Sequence, residues 1–216
     1  MARWFIARHG ETVFNAARRM QGETVHTPLT RAGFRHAEEI GEALLGALGP
    51  APKLTLWASP TGRALQTLAI AAEHLRLDWH DARTDERLSE MDMGEWGGRF
   101  YAEIAKVQGG FVDRKAGLFT CRPPGGEWFD DIAQRLSAWM ADTAGEEGDR
   151  LIVMHGISSR VLRGLLTGAP ERPGCGAPVA AALPQGSVVC IEDGSESAIG
   201  LGSGDLGASG TGAGTY

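Results

Sequence analysis

The chain has 216 residues, 43% of them apolar, which is enough for one domain with a sizeable core. Its 27 acidic residues outnumber the 21 basic ones, for a formal charge of −6, so the clustered basic surface that nucleic acid or an anionic membrane requires is not expected. The start has no cationic segment leading into an apolar core, and no apolar run approaches the roughly 20 residues that span a bilayer, so a cytoplasmic protein is expected.

In chain order, "RWFIARHG" (Arg3 to Gly10), "KLTLWASP" (Lys53 to Pro60) and "RLIVMHG" (Arg150 to Gly156) are short apolar runs that end on polar or turn-forming residues. They read as three strands. Helical spacing of apolar residues follows each of them, over Thr30 to Leu48 with Thr30 as N-cap, over Thr61 to Leu75, and over Ile157 to Leu166. Alternation of strand and helix predicts an α/β fold, a three-layer α/β/α sandwich with a mostly parallel central sheet. Residues Glu90 to Gly126 break the alternation with glycines, prolines and aromatics, and read as an irregular insertion packed over one edge of the sheet. Gly186 to Ser203 reads as a terminal hairpin turning at Asp193 to Ser195. The expected organisation is therefore a single domain over 1–202 and a disordered Gly-rich tail over 203–216. Cys121, Cys175 and Cys190 lack CxxC or zinc-type spacing, so neither a disulfide framework nor a metal site is expected, and no cofactor is implied.

In an open parallel sheet the ligand site lies beyond the carboxyl ends of the strands. His9 and His155 fall there, each followed by a glycine, Gly10 and Gly156, that would let a ligand approach the backbone. Arg63 falls there too, in the first turn of a helix, where a cation opposes the helix dipole unless an anion is shared between them. With Arg8, two guanidinium groups, two imidazoles and a helix terminus are expected to converge, a combination suited to a dianionic phosphate. His26, His36, His74 and His80 read as loop or helix-surface residues without a catalytic part. Trp96, Phe100, Tyr101 and Trp128 are candidates to line a pocket in the insertion.

These residues carry a resemblance. "RHGET" with Asn15, "QG" at Gln21 and Gly22, "TPLTRAG", "ASPTGRALQT", "LSEMDMGEWGG", "PPGGE" and "VMHG" occur in the order and at the intervals of the histidine phosphatase superfamily, also called the phosphoglycerate mutase-like family. The similarity runs from about Arg3 to Val189. It implies that His9 is the nucleophile and is transiently phosphorylated, that Arg8, Arg63 and His155 neutralise the transferring group, and that Glu90 protonates the leaving oxygen; were Glu90 not the acid, Asp92 or Glu11 would be the next candidate. Asn15, Gln21, the Gly22 backbone and Gly156 would add substrate contacts. His26, Gly97 and Trp128 depart from residues frequent in the family, which bears on substrate selection. The expected activity is metal-independent hydrolysis of a small phosphomonoester. The alternatives are a phosphoglycerate mutase-type transfer, a phosphoprotein phosphatase, and a catalytically silent module that binds phospho-ligands. The sequence leaves homo-oligomerisation open.

Overall fold

The computed structural model describes residues 2–206. Its centre is a six-stranded sheet with three of the expected strands side by side: β1 (Trp4–Arg8), β2 (Leu54–Ala58) and β6 (Asp149–Met154). The strand order is β10-β9-β1-β6-β2-β3, where β3 is the two-residue edge Arg83–Thr84, β9 is Val188–Glu192 and β10 is Ser195–Gly200. β1, β6, β2 and β3 run parallel, while β9 and β10 are antiparallel to their neighbours. The terminal hairpin turns at Asp193 and Gly194, with φ of 49° and 74°. Two successive positive φ values match the right-handed twist of a two-residue hairpin, and an Asp-Gly pair tolerates them.

Strand residues alternate between two apolar layers. Phe5, Ala7, Leu56, Ala58, Leu151 and Val153 point to the side of α2 (Arg31–Leu48) and α3 (Gly62–Leu75), while Ile6, Trp57, Ile152 and Met154 belong to the layer containing α5 (Phe129–Asp142) and α6 (Ser158–Leu166). Both faces of the sheet are covered, which is why its strands read as continuous apolar runs rather than alternating ones. Thr30 caps α2 as expected, its side chain accepting from the Gly33 N–H. A four-residue helix, α1 (Val13–Ala16), follows β1.

The insertion carries secondary structure of its own. It contains α4 (Tyr101–Gln108) and the short hairpin of β4 (Val112–Asp113) and β5 (Leu118–Phe119). Its Met91, Met93, Trp96, Ile104, Phe111 and Phe119 join the same apolar cluster as Ile6, Ile152 and Met154 of the central strands. The segment therefore contributes to the apolar layer on the α5 and α6 side of the sheet. A smaller hairpin, β7 (Glu171–Arg172) with β8 (Ala177–Pro178), completes this side. Among the described residues, no helix is long and apolar enough to cross a membrane. The expected disordered tail divides in two: residues 207–216 lie outside the described residues, whereas Ser203 to Asp205 make defined bonds. Ser203 N–H donates to Glu39 at 2.9 Å, and Gly204 N–H to the Gln185 carbonyl at 3.1 Å.

Candidate active site

Register brings the two expected histidines together. β1 and β6 are adjacent and parallel with Arg8 opposite Met154, so His9 and His155 both leave the sheet at the same level. Their rings stand 5.1 Å apart, tilted by 65°. Gly10 has a packing reason rather than the ligand-facing one expected: a Cβ there would lie 2.2 Å from the Gly33 carbonyl oxygen, so α2 can cross the end of β1 only if both positions lack a side chain.

The hydrogen bonds settle which nitrogen of each imidazole carries a proton. His9 Nδ1 lies 2.7 Å from the Gly10 carbonyl oxygen, which can only accept, so Nδ1 donates and Nε2 keeps its lone pair. His155 Nδ1 accepts from Arg63 Nε at 3.2 Å, so in a neutral ring the proton sits on Nε2. Among the described residues that buried Nε2–H has no partner, and neither does the buried Nε–H of Arg8. Burial holds both imidazoles well below their ordinary value of 6.5, and the Arg63 guanidinium pushes each further down. His9 is thus neutral near pH 7, as a nucleophile must be.

Those depressed values have a consequence for stability. The unfolded chain takes up protons at about pH 6.5 while the folded one does not, so stability should fall as the pH drops below 6.5 towards the folded-state values. Each buried histidine contributes a slope of about 1.4 kcal/mol per pH unit within that window. Denaturant midpoints between pH 7.5 and 5 for the protein and for His155→Gln should differ in slope, the variant being flatter. Equal slopes would mean that His155 does not resist protonation.

Arg63 is fully buried, and most of its donors are already used. Nη1 bonds the Thr24 carbonyl at 2.6 Å and Thr27 Oγ1 at 3.0 Å, Nη2 bonds the Gly22 carbonyl at 2.7 Å, and Nε bonds His155. Four of five N–H groups are thereby committed to protein, and burial lowers its pKa to about 10, leaving it charged at neutrality. One Arg63 N–H group is left without a protein partner among the described residues. Arg63 and His155 are bonded to each other, and neither is among the residues that line the cavity, although the His155 ring stands 5.1 Å from that of His9. The helix terminus is not free either, since the Gly62 N–H donates to the Val25 carbonyl at 3.1 Å.

The cavity itself has a volume of about 710 Å³ and opens in front of His9 and Arg8. Asn15, Gln21, Gly22, Glu90 and Gly156 line it, as expected. Asn15 Oδ1 accepts from Thr12 and from Gln185 Nε2 at 2.8 Å, and Gln21 Oε1 accepts from Thr12 Oγ1 at 2.5 Å, so each amide has its NH₂ end left to offer. Glu90 bridges to α6: its carboxylate accepts from Ile157 N–H at 3.0 Å and Ser158 N–H at 2.9 Å, where the helix has no side-chain cap of its own. Of the four aromatics expected at the pocket, Tyr101 alone lines it, its phenol pushed up to about 12 by burial and then by Glu90. Trp96 is in the core, Phe100 is exposed with Arg19 over its ring, and Trp128 packs against Phe129. His36 is also corrected. It is 4% exposed, and its Nδ1 accepts from the Glu11 N–H at 3.2 Å, because α2 turns that face towards β1. Sequence reasoning missed the C-terminal strand of contacts around Arg8, whose Nη1 donates to the carbonyls of Leu183 at 2.8 Å and Asp205 at 3.1 Å.

Comparison with known proteins agrees with this geometry. Residues 4–192 match the family described as the histidine phosphatase superfamily (branch 1). A protein of Proteus mirabilis named probable phosphoglycerate mutase GpmB is 34% identical over 176 residues, which span 79% of this chain and 77% of that protein. Among solved structures, a mycobacterial glucosyl-3-phosphoglycerate phosphatase in complex with VO3 superposes with a TM-score of 0.74 at 25% identity, covering 95% of this chain and all (100%) of that one. YhfR of Bacillus stearothermophilus gives 0.69 at 27% identity, over 97% and 100% of the two chains. With the family pattern spanning nearly the whole sheet and both histidines on adjacent strand ends, the chain belongs to the histidine phosphatase superfamily.

Proposed function

We propose that this enzyme hydrolyses a small phosphomonoester by way of phosphohistidine on His9, without a metal ion. The observation that carries the reading is the tautomer of His9, whose Nδ1–H is held by Gly10 and whose Nε2 keeps its lone pair, in a cavity whose wall also holds Arg8. In the first step an Nε2–P bond forms as the P–O bond to the leaving group breaks, and Glu90 supplies the proton to the departing oxygen. Arg8 neutralises charge on the equatorial oxygens together with His155, given that role because its ring lies 5.1 Å from that of His9, while Arg63 fixes His155 in the tautomer that donates through Nε2. In the second step water attacks phosphorus, gives its proton to Glu90, and returns the imidazole. Asn15, Gln21, Gly22 and Gly156 bound the phosphate side of the cavity and are proposed as substrate contacts.

The substrate is read as a soluble metabolite. A cytoplasmic place of action fits the three free thiols, Cys121, Cys175 and Cys190. The name of the Proteus relative favours a second reading, phosphoglycerate mutase-type transfer, in which the phosphoryl returns to another hydroxyl. Release of inorganic phosphate against appearance of the isomeric ester separates the two.

Inhibition tests the transition-state claim. Vanadate adopts the trigonal-bipyramidal geometry of the phosphoryl in flight, so it should inhibit at least about 100-fold more tightly than phosphate, and chelators should leave the rate unchanged. Equal inhibition by the two anions, or loss of activity in chelator with recovery on adding a divalent ion, would contradict the reading.

A further inference from the structure

Beside the His9 cavity lies a second groove of about 720 Å³, and the two share Arg114, Arg160, Ala182 and Leu206 in their walls. The second groove is strongly basic. Arg114, Lys115, Arg160 and Arg172 line it, against the single carboxylate of Asp113. That carboxylate is turned to its own turn, accepting from the N–H groups of Lys115 at 2.9 Å and Ala116 at 3.1 Å. The side chains of Arg114, Lys115 and Arg172 make no hydrogen bond or ion pair with the described residues. In a chain of net charge −6 this concentration of unpaired cations is not a consequence of composition.

Arg160 is the centre of the feature. It is 4% exposed and projects from α6 to the junction of the two spaces. Its guanidinium donates to the carbonyls of Ala180 at 2.8 Å, Gly117 at 2.9 Å and Ala116 at 3.0 Å, which leaves two N–H groups uncommitted. No carboxylate pairs with it among the described residues, whereas Arg163, its neighbour on the same helix, is paired with Glu196 at 2.6 Å. Burial, with Arg163 and Arg172 close by, lowers the Arg160 pKa to about 10. A buried cation among other cations is destabilising unless an anion answers it.

We infer that the substrate carries a second anionic group, a carboxylate or a phosphate, which is seated by Arg160, Arg114 and Arg172 while the scissile phosphate faces His9. The inference rests on the phosphomonoesterase reading and narrows its substrate class to doubly anionic esters. Ala102, Ala105, Phe111 and Phe119 also line the His9 cavity and offer an apolar surface to the portion of substrate joining the two anionic groups.

The test uses esters matched in length. 6-Phosphogluconate, sorbitol 6-phosphate and sorbitol 1,6-bisphosphate differ only at the end remote from the scissile phosphate, and each can be measured as a competitive inhibitor of p-nitrophenyl phosphate hydrolysis. The two doubly anionic esters, or the one whose second group fits, should bind about 10- to 100-fold more tightly than sorbitol 6-phosphate, the range of charge-assisted hydrogen bonds. In the Arg172→Gln variant, a change at an exposed position outside the wall of the His9 cavity, that advantage should fall by about three- to tenfold while binding of sorbitol 6-phosphate and turnover of the nitrophenyl ester stay the same. Equal inhibition by all three esters, or an equal loss for all three in the variant, would overturn the inference and leave the phosphatase reading standing. Failure to hydrolyse p-nitrophenyl phosphate at all would overturn both.

Discussion

Replacing His9 with alanine should lower the hydrolysis rate by on the order of 10⁴ to 10⁶, the scale on which removal of a sole nucleophile acts. The fold should survive. His9 makes one side-chain hydrogen bond, to its neighbour Gly10, and lines a cavity already open to the ligand, so truncation leaves no sealed void in the core. Neighbouring groups remain anchored independently, Arg63 and His155 by each other and by the carbonyls of Thr24 and Gly22. Steady-state kinetics and a thermal midpoint together decide it. A variant that unfolds near the wild-type temperature and keeps more than about a tenth of the rate would remove His9 from the chemistry.

Glu90→Gln should separate proton donation from helix capping. General acid catalysis contributes about 10² to 10⁴ in rate, most of it when the leaving oxygen is strongly basic. Glutamine keeps an acceptor for the Ile157 and Ser158 N–H groups but has no proton to deliver. For an alkyl phosphate the loss should fall in that range, whereas release of nitrophenolate, a good leaving group, should be slowed much less. Dephosphorylation then becomes limiting, because the same carboxylate is proposed to take the proton of the attacking water, so nitrophenolate should appear as a burst followed by slow turnover. Equal slowing of alkyl and aryl release before steady state would mean that Glu90 only holds α6. The fallback would be Glu11, which lines the cavity. Asp92, expected alongside it, is not in the wall and turns its carboxylate to the Gly94 N–H at 2.8 Å.

What could be read from the sequence was whatever depends on local pattern. The apolar runs ending at His9, Ala58 and His155 announced strands of a covered parallel sheet, and Thr30 announced the start of α2 with its side-chain cap. Arg8, His9, Asn15, Gln21, Gly22, Glu90 and Gly156 were legible as one motif set, and all line the cavity. Legibility ended where a residue's part depends on distant partners. Arg160 sits in "SSRVLRGLL", where an arginine reads as a solvated helix side chain, and only the carbonyls of residues 116, 117 and 180 reveal it as buried. Gly10 was read for the ligand and is held for Gly33, a contact across 23 residues. Gln185 and Asp205 reach Asn15 and Arg8 across gaps of 170 and 197 residues, and no spacing rule encodes that.

The central claim is a phosphoryl group on one nitrogen of one histidine. It can be seen by mixing the protein with a phosphomonoester labelled at phosphorus and quenching in alkaline denaturant within a turnover. The account predicts label on the protein that survives base, is lost in acid, and is found on the peptide containing His9. Label that withstands acid, or that persists undiminished in His9→Ala, would contradict it.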